Sequence, residues 1–398
     1  MPTTILCITS YFKGQDFLRE CRALGCRVLL LTAENLKDAE WPIESMDERY
    51  LMPEELGREQ MLDALSYLAR SEAIDRIVAL DEFDQEIAAA AREHLRIPGM
   101  GETTMRYFRD KLAMRMRAKE HGVLVPEFVS LINRAEVALF LDAVAPPWIL
   151  KPRSSASAIG LKKMDDVDEV WRVLDQLENR RPHHLLEQFI PGQVMHVDSI
   201  AWDMQPVFAE SSGYLNTPFD VYHGGGLFAT ATLPRGSQLG RDLTHLNAEI
   251  IRGLGLVRGV LHTEFIRAAE DGRLYFLETA ARVGGAYIVD MIDAATDVNL
   301  WREWARLEVA DARGEEYAPP PKRADYAGLI LTLARQEWPD MSAYDDANVV
   351  RRLVKKQHAG LIVAADNRER VDALLESYME RFHADFHAVM PPASKALD

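Results

Sequence analysis

Short apolar runs alternate with amphipathic stretches through the first hundred positions. ILCITS (5–10), RVLLLT (27–32) and RIVALD (76–81) are continuously apolar and rich in β-branched residues, the pattern of buried strands. Helical patterns lie between and after them, one ending near Leu24, one near 59–71 and one through His94. Strands separated by helices predict a parallel, helix-covered α/β sheet over residues 1–102. From about Thr103 the texture becomes α+β. Thr103 or Thr104 caps a basic helix, MRYFRDKLAMRMRAKEHG, which stops at Gly122. A helix near 134–143, the strand WILK at 148–151, a serine-rich loop at 153–159 and a helix near 165–178 suggest a small subdomain over about 125–185. The strand LLEQFI at 185–190 opens an antiparallel region running to Gly285, within a unit of about 186–312. Pro319-Pro320-Pro321 interrupts any helix or central strand. Strands near 327–333, 349–354 and 360–364 and the helix RERVDALLESYMERFH then predict a C-terminal α+β subdomain over 313–398, loose from Met390 onward.

Composition narrows the function. The 398 residues are 48% hydrophobic and 27% charged, ordinary for a globular chain of two or three domains. A formal net charge of −16 argues against a general nucleic-acid or membrane surface. No apolar run reaches spanning length and no secretory signal is visible at the start. Cys7, Cys21 and Cys26 have no metal-binding spacing, so a reducing, cytoplasmic setting is expected. The turn Ser10-Tyr11-Phe12-Lys13-Gly14 has one glycine where a dinucleotide turn needs three, which excludes NAD there. Gly253, Gly255 and Gly259 follow a helix and precede a strand, and so mark a helix stop and a turn.

Candidate chemistry centres on TEFIRAAEDGRLYFLETAARVGG, residues 263–285. A three-residue loop Glu270-Asp271-Gly272 would make Ala269 and Arg273 the first cross-strand pair and set Glu264 directly opposite Glu278. Two carboxylates so placed repel unless a cation lies between them, and a hard oxygen pair suits Mg²⁺. The alternative is an exposed hairpin with solvated glutamates. Lys151 precedes a small-residue loop containing Ser154, Ser155 and Ser157, which could close over a polyphosphate; a solvated strand-end lysine is its alternative, as a solvated helix face is for Lys111. Glu187-Gln188-Phe189-Ile190-Pro191-Gly192 suggests a hinge where a flat base could stack. His223-Gly224-Gly225-Gly226 lacks a companion G-x-S-x-G elbow and is expected to be a flexible loop near a substrate.

Taken in order, these segments resemble the ATP-grasp superfamily from about Thr103 to Asn299, preceded by a Rossmann-like parallel-sheet domain of the biotin-carboxylase type. The resemblance implies an ATP-grasp domain over 103–312 in which Lys111, Lys151, Ser154, Ser155 and Ser157 meet the phosphates of ATP. It also implies that Glu187, Gln188, Phe189 and Ile190 hold adenine, that His196 reaches the ribose, and that Glu264 and Glu278 bind Mg²⁺, with Mn²⁺ as a substitute. Arg282, Gly284 and Gly285 would meet the substrate, with Arg282 as the catalytic cation. Two positions depart from the pattern: Ala280 stands where asparagine is common, and Val194 where a ribose-binding glutamate is common. The implied activity is carboxylate–amine ligation through an acyl phosphate, closest in texture to amino-acid and dipeptide ligases. A biotin-carboxylase-like or purine-pathway enzyme and a non-catalytic nucleotide sensor are the alternatives. Expected partners are small carboxylates and amines, and a homodimer is compatible with the sequence.

Overall fold

The computed structural model describes residues 2–53, 56–155 and 159–389. Ser157 and the tail from Met390 lie outside them. The N-terminal segment builds β1 (Thr4–Thr9), β2 (Arg27–Ala33), β3 (Glu48–Met52) and β4 (Arg76–Ala79). They form the expected parallel sheet in the order β3-β2-β1-β4. β1, β2 and β4 are almost wholly buried, as parallel strands packed on both faces must be. Unexpected in sequence is β3, an edge strand whose residues ERYLM mix polar and apolar types.

A second sheet contains β5 (Phe128–Ser130), β6 (Trp148–Pro152), β7 (Lys162–Met164) and β8 (His184–Gln188), all antiparallel in the order β5-β8-β6-β7. The third has eight antiparallel strands: β9 (Gly192–Trp202), β10 (Gln205–Tyr214), β11 (Phe228–Thr232), β12 (Arg258–Ala268), β13 (Leu274–Ala280), β14 (Tyr326–Leu333), β15 (Val349–Lys355) and β16 (His358–Ala365). Their order is β13-β12-β9-β10-β11-β14-β16-β15, so strands from the C-terminal segment extend the same sheet. The helix Gln238–Leu254 ends at Gly255 in the left-handed conformation, as the glycine spacing indicates.

The basic helix differs from its expected form. Glu102–Met105 is one short turn, a tighter turn follows at Arg106–Phe108, and a new helix runs Lys111–Glu120. Asp110, rather than a threonine, caps that helix, its carboxylate accepting from the amides of Leu112 (3.0 Å) and Ala113 (3.4 Å). The break puts Lys111 on the first helical residue.

Glu264 and Glu278 do pair across β12 and β13, but the loop is longer than expected. Ala268 donates its amide to the Arg273 carbonyl (2.9 Å), leaving the four residues 269–272 in the turn, with Gly272 at φ 70°. Arg267 therefore faces Leu274 and Phe265 faces Phe276; Leu277 then bulges out and returns Glu264 opposite Glu278. Without that bulge, the turn would set Leu277 against Glu264 and send Glu278 to the other face.

Candidate active site

A cleft of about 580 Å³ is lined by residues of both antiparallel sheets. One wall presents Ile149, Lys151 and Glu187, because Ile149 and Glu187 are cross-strand partners on β6 and β8 and Lys151 lies two residues along the same face. The facing wall carries Tyr214, His262, Glu264 and Glu278. Register explains this convergence: Glu264 pairs with both Glu278 and His196, and His262 pairs with Asp198 and Ala280. These positions share one face of the sheet.

Both lysines are withdrawn from solvent, against the solvated alternatives. Lys111 is 6% and Lys151 7% exposed. Lys111 Nζ lies 2.9 Å from Glu278 and donates to the Ser155 carbonyl at 2.7 Å. Burial would raise the Glu278 carboxyl, but Lys111, with Lys151 and Arg115, holds it down at about 2. Lys151 Nζ lies 2.6 Å from Glu187, whose other oxygen is 2.8 Å from Arg115. Burial would also raise Glu187, and the Arg115 and Lys151 cations overcome it and lower its pKa. Burial lowers that of Lys151.

Several expected contacts need correction. The Glu187 side chain is committed to Lys151 and Arg115 rather than to a base. Gln188, Phe189 and Ile190 do line the cleft, although the amides of Gln188 and Phe189 already donate to the carbonyls of Glu127 and Pro147. His196 is fully buried beneath the cleft, with Nδ1 2.6 Å from Asp198 and Nε2 2.7 Å from Thr230, leaving no ring nitrogen for a ribose. Ser155 lines the cleft; Ser154 does not, and its carbonyl accepts from Arg109. Gly285 lines the cleft, whereas a Cβ on Gly284 would lie 2.7 Å from Asp198 Oδ1, so that glycine serves packing. In place of the expected loop at His223, Pro218–Gly224 is a short helix capped by Thr217. Its Phe219 packs against Phe189 at 6.0 Å between centroids, and His223 Nε2 lies 3.1 Å from the Leu161 carbonyl.

Arg282 faces the cleft, but its partner is neither Glu264 nor Glu278. Its Nε and Nη2 donate to Glu82 at 3.0 and 2.7 Å, and Arg109 holds the other oxygen of Glu82 at 2.6 Å. Burial would lower the Arg282 pKa; Glu82 and the other nearby carboxylates raise it instead. Sequence reasoning missed Glu82. The available signal was Asp81-Glu82-Phe83-Asp84 one residue beyond β4, past the carboxyl end of a parallel strand, where α/β sheets bind ligands.

A buried network adjoins the carboxylates. His262 Nδ1 lies 2.9 Å from Asp198, and Tyr214 donates its hydroxyl to Glu264 at 2.9 Å. Burial lowers the His262 pKa, but Asp198 and Glu264 bring it up to about 9. Burial and then Glu264 push the Tyr214 phenol well up, keeping its proton as the donor to Glu264.

No protein-family model matches the chain. The chain is similar to the L-arginine-specific L-amino acid ligase of Bacillus subtilis, 22% identical over 241 residues, 59% of this chain and 58% of that protein. It shares 32% identity over 83 residues with the D-alanine–D-alanine ligase of Ralstonia pickettii, 21% of this chain and 25% of that protein. The match thus spans less than two thirds of either relative's length. Among solved structures, L-amino acid ligase from Bacillus licheniformis matches with a TM-score of 0.75 at 18% identity, over 98% of this chain and 99% of that one. N5-carboxyaminoimidazole ribonucleotide synthetase from Thermus thermophilus gives 0.73 at 16% identity, covering 97% and 99%. Biotin carboxylase from Campylobacter jejuni gives 0.71 at 14% identity, covering 96% and 91%.

The Arg115–Glu187–Lys151 cluster generates a stability prediction. Glu187→Leu is expected to destabilise the fold by about 3–5 kcal/mol, since it leaves the buried Arg115 and Lys151 cations without the carboxylate they share. The double change Arg115→Leu, Glu187→Leu should cost less than the single one in urea unfolding; an equal or larger loss would show that these side chains act by packing alone.

Proposed function

We propose that this chain, an ATP-grasp protein by its fold, is an ATP-dependent ligase that joins a carboxylate to an amine, with amino acids as substrates. The observation that carries this reading is the convergence of Lys111, Lys151, Glu264, Glu278 and Arg282 on one cleft. Both curated relatives are named as ligases of amino acids, which supports the substrate class.

ATP would lie between the two antiparallel sheets. Phe189 and Ile190 offer apolar surface for the base, with Phe219 beyond Phe189. Lys111 and Lys151 would face the phosphates, and Ser155 lies beside Lys111. Glu187 and Arg115 orient Lys151, so these two residues act through the lysine. The carboxylate oxygens of Glu264 and Glu278 are the hard donors that Mg²⁺, or Mn²⁺ in its place, requires. Glu278 already attracts a cation, Lys111, at 2.9 Å, and a metal would meet the same field. Bound there, the ion would neutralise phosphate charge.

A carboxylate oxygen of the first substrate attacks the γ-phosphorus as the β–γ bridging bond breaks, giving an acyl phosphate and ADP. The amine nitrogen then attacks the acyl carbon, loses a proton, and expels phosphate. Positioning and charge neutralisation supply most of the protein's contribution to such transfer. Arg282 is placed to hold a carboxylate or the developing phosphate charge, with Glu82 and Arg109 fixing its direction.

Phosphate and ADP release should require Mg-ATP plus two amino acids and yield a product lighter than their sum by one water. Release that needs bicarbonate instead would favour a carboxylase, and tight ATP binding with silence across all amino-acid pools would favour a sensor. Glu278→Gln is expected to abolish turnover with an unchanged circular dichroism spectrum; near-normal activity would remove its metal role. Arg282→Ala should lower turnover by about 10²-fold or more with little loss of ATP affinity. An unchanged rate would return Arg282 to a structural role.

A further inference from the structure

We infer that the groove between β10 and the helix Gln238–Leu254 is a second binding site, built for a small dianion that carries a phosphate group or two carboxylates. It does not depend on what the main cleft binds.

The groove has a volume of about 500 Å³ and shares no lining residue with the cleft. It opens where β10 and β11 part. The two strands pair from Ser212 to Tyr214, and beyond that stretch the Leu233 amide donates to the Ser211 carbonyl at 2.8 Å. The chain then turns through Pro234 and returns as the helix Gln238–Leu254. Small residues on both walls, Ala209 on the strand and Gly240 and Ala248 on the helix, leave space between them. Ser211 lies one residue out of phase with Ser212, which pairs with His196, and three residues from Tyr214, which lines the cleft. It therefore projects from the opposite face of the sheet, into the groove.

Two buried donors in this lining lack a partner. Ser211 is 9% exposed, and among the described residues neither its Oγ nor Arg235 Nε makes a hydrogen bond. Buried polar groups are normally satisfied, so two unsatisfied donors on one cavity point to an acceptor that the cavity receives.

The surrounding charge selects an anion. Glu210 is the acidic residue of the lining, and it is already neutralised: both of its oxygens accept from Arg235 Nη1, and Arg235 Nη2 donates to the Asp325 carbonyl at 2.6 Å. Lys322 adds a further cation, 3.8 Å from Glu210 and 3.4 Å from the Ala209 carbonyl. Arg241 donates to the Gly236 carbonyl and, at 2.7 Å, to the Gln238 amide oxygen, acceptors that leave its charge uncancelled. His245 stands at the rim, 3.5 Å from Glu249. Arg241 and Lys322 thus bring more positive charge than Glu210 removes, and the N-terminal end of a 17-residue helix adds to it. Ordered water alone is the competing occupant. It would satisfy Ser211 and Arg235 Nε but would leave this excess charge unanswered.

The test measures binding of inorganic phosphate and, separately, of malonate to the full chain by titration calorimetry. A β,γ-imido analogue of ATP with Mg²⁺ is present to fill phosphate positions in the main cleft. One anion should bind per chain with a Kd of about 1 mM or tighter. Phosphate bound in preference to malonate identifies a phosphate-bearing ligand, and the reverse a dicarboxylate; either supports the site. Ser211→Ala removes a hydroxyl without an internal partner. Stability in urea should therefore be unchanged, while affinity falls by about tenfold. The pair Arg241→Gln, Lys322→Gln lies at the surface and should weaken binding by about tenfold or more, with basal turnover unchanged. Saturable binding that is the same in both variants would place the anion elsewhere and overturn the site. No saturable binding of either probe would leave water as the occupant and overturn it equally. Neither result bears on ATP in the main cleft, which the analogue reports by its own titration.

Discussion

Like-charge repulsion between Glu264 and Glu278 is the constraint around which the cleft is organised. Two carboxylates directly opposed on neighbouring strands are unfavourable by themselves, and the chain answers with cations from other elements. Lys111 comes from the start of a helix and meets Glu278, while Lys151 comes from the other sheet with its own counter-ion, Glu187. Both lysines are buried, so their charge is poorly screened and is felt strongly in the cleft. The same arrangement that relieves the carboxylates leaves a cavity suited to a polyanion accompanied by a metal ion.

Delivery depends on breaks in regular structure more than on the regular elements themselves. Asp110 ends one turn and caps the next helix, which places Lys111 at its mouth. Arg153, paired with Asp110, ties this cap to the loop after β6, and the Lys111 amide donates to the Arg153 carbonyl at 2.8 Å. The Leu277 bulge performs the corresponding task in the large sheet by restoring the phase of Glu278. Such irregularities cost local pairing, and they persist where surrounding packing determines them; here Phe265 and Phe276, both fully buried, form the cross-strand pair that adjoins the shift on its turn side.

Much of this was legible in sequence because periodicity reports burial. The parallel sheet followed from ILCITS, RVLLLT and RIVALD, and the opposition of Glu264 to Glu278 followed from counting back from a turn. That count reached the correct pair through two errors that cancel: the turn has one more residue than assumed, and a bulge absorbs it. What sequence could not supply was the identity of long-range partners. Arg282 carries a charge that any nearby carboxylate could satisfy, and nothing local distinguishes Glu82 from Glu264 or Glu278. His196 matched a position near the nucleotide, but only the three-dimensional structure shows both ring nitrogens consumed by Asp198 and Thr230. Edge strands such as β3 escaped because an edge needs no continuous apolar run.

The pairing of Glu82 with Arg282 spans 200 residues of chain. During synthesis at about 5–20 residues per second, roughly 10–40 s separate the appearance of one partner from the other. Through that interval the first parallel sheet can form while Glu82 has no Arg282 to direct. The end of the cleft that would receive the reacting groups is therefore assembled late, and a nascent chain that stops short of β13 lacks both Glu278 and Arg282. Truncated translation products would thus lack an assembled cleft, a consequence of connectivity alone.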